Sequence, residues 1–144
     1  MIRISIDIPE ELQKLPDDIM SKAIPLVVKE LANKGQDEMF KRAPKRTGFF
    51  RLSITSRVSD REAWIGPQGS EKLARYLEKG TLEHEIRPVR ALALRFKTKD
   101  QVVFAKRAMH PGTSATWFMR DTARWLGDQV PEIWKRAIEE VTRE

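Results

Sequence analysis

The residues whose types could do chemistry gather between Tyr76 and Phe118. His84 stands between Glu83 and Glu85, and His110 is the only other histidine of the chain. Such a set invites a metal-binding or acid/base reading, with His110 approaching across a hairpin. The spacing opposes it. Neighbours on an extended segment point to opposite faces, so Glu83 and Glu85 share a side that His84 does not, and the helical two-histidine zinc pattern needs ligands four apart. The plainer expectation is that each histidine caps a turn or bonds a backbone carbonyl. Ser53, Thr81, Thr113 and Ser114 supply hydroxyls, but none lies in a nucleophile elbow. Gly66-Pro67-Gln68-Gly69 lacks the lysine and following hydroxyl of a nucleotide loop. With no cysteine in the chain, thiolate zinc sites and disulfides are excluded. No catalytic residue, metal ligand or cofactor is assigned.

Positive charge is the other chemical signal. Lysine and arginine outnumber aspartate and glutamate 27 to 21, for a formal charge of +6. The excess is uneven: Lys41, Arg42, Lys45, Arg46, Arg51, Arg57 and Arg61 face Asp60 alone in their segment, and the segment from Arg87 to Arg107 repeats that bias around Asp100. Such a field attracts a polyanion or an acidic protein face without choosing between them. Lys41, Arg42, Lys45, Arg46 and Arg51 are the candidate partner or DNA contacts. With Phe49 and Phe50 beside them they combine cations and aromatics as single-strand binders do, although aromatics at a helix-to-strand corner are more often core plugs. Trp64, Trp117, Trp125 and Trp134 read as core or subunit-contact residues.

The elements that must position these groups follow from periodicity. Length, a hydrophobic fraction of 40% and a charged fraction of 33% suit one globular domain over residues 1–144. Ile2, Ile4, Ile6 and Ile8 alternate as a half-buried strand ended by Pro9. A long helix starts at Pro16-Asp17-Asp18 and runs through Met39 and Phe40, kinked at Pro25 and halted by Ala43-Pro44. A turn ending at Gly48 leads to a hairpin, with Leu52, Ile54 and Val58 on one strand and residues 62–67 on the other. Ser70 is placed to cap a short helix over residues 71–79.

Two Gly-Thr steps, Gly80-Thr81 and Gly112-Thr113, then bracket a second hairpin formed by residues 91–96 and 102–105. Gly80 is read as a left-handed helix cap and Pro111-Gly112 as a turn. The strands of this hairpin are apolar enough that at least one face should be covered. A last helix runs from Ser114–Trp117 to Val141, with Gly127 and Pro131 as points where it could divide. The expected class is α+β: a small antiparallel sheet of two hairpins covered by a long N-terminal helix and a C-terminal helix. The N-terminal alternation and the lack of any membrane-length apolar run make synthesis in a cytoplasm, without a membrane partner, the expectation.

In order and spacing, three pieces of the chain carry a resemblance. They are Ala43-Pro44-Lys45-Arg46-Thr47-Gly48-Phe49-Phe50-Arg51-Leu52-Ser53-Ile54 after a long helix, Tyr76-Leu77-Glu78-Lys79-Gly80-Thr81, and His110-Pro111-Gly112-Thr113 with Thr116-Trp117-Phe118 leading into the last helix. Over roughly residues 17–141 the chain resembles the head–tail joining, or tail-completion, proteins of long-tailed bacteriophages and related proviruses. It departs from their pattern at Phe49-Phe50, where a smaller, more polar pair is usual, and at Trp117, where they tend to carry proline. The resemblance implies a structural, non-enzymatic virion subunit without cofactor. It also implies assembly as a homo-oligomeric ring in the neck or upper tail, contacting connector and tail-terminator or tail-tube proteins, with non-specific contact to passing DNA. A nucleic-acid-binding module using the basic turns is the alternative, and a metal-dependent hydrolase at the histidines a third reading.

Overall fold

A computed structural model describes residues 1–45 and 48–143. The strands are β1 (Ile2–Ser5), β2 (Ile54–Val58), β3 (Glu62–Pro67), β4 (His84–Ile86), β5 (Leu94–Lys97), β6 (Val102–Ala105) and β7 (Ala108–His110). The helices are α1 (Asp17–Arg42), α2 (Phe49–Leu52), α3 (Glu71–Lys79) and α4 (Phe118–Arg143). The class is α+β with long N- and C-terminal helices, as the sequence implies. The strands, however, divide into three separate antiparallel sheets: β1-β3-β2, β4-β7 and β5-β6.

The three-stranded sheet recruits β1 alongside the first hairpin, pairing Ile2 with Ile65 and Ile4 with Ala63. Central β3 is accordingly the buried strand, with Ala63, Ile65, Gly66 and Pro67 inside. Helix α1 crosses this sheet and also packs along α4. Its buried stripe of Ala23, Ile24, Val27, Val28, Leu31, Ala32, Gly35 and Met39 meets Leu126, Ile133, Trp134, Ala137 and Val141 of α4 in one core cluster. The helices run antiparallel, since Glu30 pairs with Arg136 while Gly35 lies against Leu126. Gln36 ties α1 to the sheet: its carbonyl accepts from the Ser56 hydroxyl at 2.7 Å.

Pro131 does not divide α4, and Pro25 likewise sits within a continuous α1. The reason is shared. Each proline is exposed and removes a bond to a residue four earlier, Gly127 or Ser21, that is itself exposed, so water satisfies the freed carbonyl. Before β2 the sequence conceals α2. Gly48 at φ 79° turns the chain into one helical turn that places Phe50 edge-on to Phe118, with centroids 5.6 Å apart, and leaves Phe49 exposed.

The junction of α3 with α4 has the strongest polar chemistry. Glu78 is buried at the last turn of α3, yet its two carboxylate oxygens accept the Met119 and Arg120 amides at 2.8 and 2.9 Å. Met119 and Arg120 belong to the first turn of α4, whose amides have no partner within the helix. In return the chain before α4 satisfies α3: the Thr116 amide and hydroxyl donate to the Leu77 carbonyl at 3.0 and 2.7 Å, and the Trp117 amide to that of Glu78 at 3.1 Å. Trp117 has φ 52°. Proline cannot adopt that angle, so α4 begins differently from the way the resemblance would have it. At the other end of α3, Ser70 occupies the cap position but its hydroxyl makes no capping bond. The Glu71 carboxylate instead accepts the amide of Gly69, ahead of the helix, at 3.1 Å. The backbone amides of Glu71 itself and of Gly69 hold its carboxyl below the usual range.

Two stability predictions follow from this packing. A Cβ on Gly35 would come within 2.3 Å of Ile65 Cδ1 and 2.8 Å of Leu126 Cδ1, whereas one on Gly127 would meet nothing within 4 Å. Gly35→Val should therefore cost about 1–3 kcal/mol in urea unfolding through overpacking, while Gly127→Ala should gain roughly 0.5–1 kcal/mol from helix propensity. Equal effects at the two sites would contradict the placement of α1. Glu78→Ala leaves two helix-end donors without an acceptor and should cost about 2–6 kcal/mol, the sum for two groups; Glu78→Gln, which keeps one oxygen, should cost less. Wild-type unfolding curves for both would remove Glu78 from this role.

Candidate functional site

Between the two Gly-Thr steps the chain leaves the body. Thr81 and Thr113 pair as an isolated antiparallel bridge, each amide donating to the other's carbonyl at 2.9 and 3.1 Å. The crossing is tight because both neighbours are glycine. A Cβ on Gly80 would lie 2.4 Å from the Thr113 carbonyl oxygen, and one on Gly112 the same distance from that of Thr81. Both have positive φ, 74° and 89°. Gly80 has ψ 178°, so it is an extended mirror-image residue and not the left-handed cap expected. Passing close to Thr113 and Ala115 demands that geometry, which only glycine visits readily.

Beyond the crossing β4 pairs with β7, bringing His84 opposite His110. The rings stack at 4.9 Å between centroids. Their Nδ1 atoms are both engaged with backbone, that of His84 with the Leu82 carbonyl at 2.8 Å and that of His110 accepting the Gly112 amide at 3.0 Å. The histidines thus fasten turns, as the spacing implies. Among the described residues no cluster of three or more His, Asp or Glu side chains is disposed to hold a metal ion.

Further out, β5 and β6 form the distal hairpin. The elbow between the two sheets is lopsided, with residues 87–93 on one side facing only Lys106 and Arg107 on the other. The expectation that a face of this hairpin is covered is met only in part within the single chain: Leu94, Val103 and Ala105 on one face are half-buried, while Val102 and Phe104 on the other are exposed, Phe104 at 66%. In the elbow Val89 and Leu92 are 95% and 98% exposed. Among the described residues, nothing from Leu82 to Trp117 belongs to the core or to the partly buried shell packed on it. Residues 91–96 and 102–105 were legible as apolar strands; what the sequence alone did not reveal is that none of their side chains joins the core.

The basic segment is more varied than its charge suggests. Lys41 and Lys45 are exposed. Arg42 pairs with Glu38 one helical turn back at 2.8 Å. Arg51 donates to the carbonyls of Ala43 and Lys41 at 2.9 and 3.0 Å and lies 5.3 Å over the Phe40 ring. It caps the end of α1, so two of its three guanidinium nitrogens are engaged internally. Arg46 lies outside the described residues. Gly48, Gly80, Thr81, Pro111, Gly112 and Thr113 all fall at the turns and crossing described above. No described helix is long and apolar enough to cross a membrane.

Residues 6–80 match the model of a bacteriophage family, HK97-gp10-like, described as "Bacteriophage HK97-gp10, putative tail-component". No curated protein and no solved structure gave a significant match. The matched region ends where the arm begins, and it spans α1, the β2-β3 hairpin and α3, with β1 just before it. With just over half of its 144 residues inside that match, the chain belongs to the HK97-gp10-like family of phage tail components.

Proposed function

We propose that the protein is a structural, non-enzymatic virion subunit of the phage neck or upper tail. All of residues 1–144 would act there as one head–tail joining domain, assembling with copies of itself into a ring that joins the connector to the tail. Family membership supports a place in the tail. The observation that carries the finer reading is the arm, residues 82–112, which adds nothing to the core and keeps Leu82, Val89, Leu92, Phe104 and Met109 exposed. Exposed apolar surface of this kind marks an interaction site, and in a tail component the available cover is another virion protein. Connector and tail-terminator or tail-tube proteins would be the neighbours above and below the ring.

The exposed cations Lys41 and Lys45, with Arg42 and Arg46, would face either the DNA passage or an acidic neighbour. Arg51 would serve this surface by holding the end of α1 in place, because two of its three guanidinium nitrogens already donate to Ala43 and Lys41.

Particles made without this protein should accumulate as separate filled heads and tails, and adding purified protein should join them. Replacing Lys41, Arg42, Lys45 and Arg46 together by glutamine should leave folding nearly intact, since exposed charges contribute about 0–1 kcal/mol each, yet impair joining. If DNA is the partner, wild-type affinity will fall steeply with salt and the variant's salt slope will be shallower. If protein is the partner, DNA affinity will be negligible while joining still fails. A quadruple variant that joins heads to tails at the wild-type rate would remove this segment from both roles.

A further inference from the structure

The distal hairpin has a face of defined chemistry. Val102 and Phe104 project from the same side of β6, and their cross-strand partners on β5 are Lys97 and Arg95. The face therefore presents an apolar pair flanked by two cations, all four exposed.

Elsewhere on the same chain lies a groove of the opposite character. It runs between the segment Pro9–Leu12 and the exposed flank of α4, has a volume of about 600 Å³, and is floored by Leu12, Val130, Trp134 and Ile138. Glu11 and Glu139 stand on its rim, together with Lys135. Carboxylates thus outnumber cations around an apolar floor.

We infer that the hairpin face of one copy seats in the α4 groove of a second copy, Val102 and Phe104 entering between Leu12 and Ile138 while Arg95 and Lys97 meet Glu11 and Glu139. The inference rests on the ring reading above and specifies its interface. Charge and polarity select the occupant: apolar side chains among the cations favour a protein over DNA, and the acidic rim favours this arm over a neutral one. An aromatic anchor in a pocket with polar edges is the pattern that dominates protein interfaces. Because the two surfaces differ, the contact is heterologous, and repeating it closes a ring when the rotation between copies divides a full turn with no rise along the axis.

The chain has no cysteine, so single thiols report the contact directly. Lys97→Cys on one chain and Glu139→Cys on another lie at the edges of the two surfaces and leave the anchors in place. Mixed, assembled, either as isolated rings or within particles, and treated with a short bis-maleimide, they should give a cross-linked heterodimer. Adding Phe104→Asp to the Lys97→Cys chain should abolish that product without unfolding the chain, because Phe104 is outside the core. If the chains assemble but cross-links form only between Lys97→Cys copies, or not at all, the arm lies elsewhere and the inference falls while the ring stands. If wild-type protein is monomeric both in concentrated solution and in the particle, the ring reading falls and takes the inference with it.

Discussion

Glu78 joins two helices by serving the one it does not belong to. A carboxylate at the C-terminal end of α3 is disfavoured by that helix's dipole by about 0.3–1 kcal/mol. It is held there by two charge-assisted bonds from the α4 amides, each of the class that contributes roughly 1.5–3 kcal/mol. The second effect wins, and the consequence is geometric. Once the end of α3 and the start of α4 are locked, the residues between them must leave and return at one point, which is the Thr81–Thr113 bridge. Gly80 and Gly112 let the two strands cross there with their backbones nearly touching. The arm is therefore carried on a rigid base even though, among the described residues, its far end contributes nothing to the core.

That arrangement separates the tasks of the chain. The body, made of α1, the three-stranded sheet and α4, builds one core of its own and leaves a groove open along the flank of α4. The arm does the opposite, keeping Val89, Leu92 and Phe104 outside among arginines and lysines. A subunit that carried this surface without an assembly to cover it would be prone to aggregate. The density of cations around those side chains reduces that tendency in the free protein and orients the contact once a partner with carboxylates is present.

How much of this could be read beforehand depends on the range of the interaction. Period-two isoleucines at residues 2–8 and the stripe of α1 declare themselves because local periodicity carries the burial signal, and the two Gly-Thr steps mark the crossing because only glycine suits that backbone. The short helix α2 was hidden because its last residue, Leu52, falls in period-two step with Ile54 and Val58 and so imitates a strand start. Glu78 could be seen as part of a motif but not as a cap, since its partners Met119 and Arg120 lie some forty residues away. Ser70 is the reverse case: the residue type is right for capping, yet Glu71 accepts the nearby amide instead. The uncovered hairpin was the costliest omission. An apolar strand reads the same whether its cover comes from the same chain or the next.

Amide hydrogen exchange tests the division into a self-sufficient body and an arm completed by a neighbour most directly, because it reports both in one measurement. In the free subunit the amides of Thr81, Thr113, Met119 and Arg120 should exchange slowly with the core helices, while those of β5 and β6 exchange on the fast timescale of local opening. In the assembled particle the β5 and β6 amides should become protected and the body amides should change little. Arm amides as slow in the free subunit as those of α1, or no gain of protection on assembly, would contradict the account.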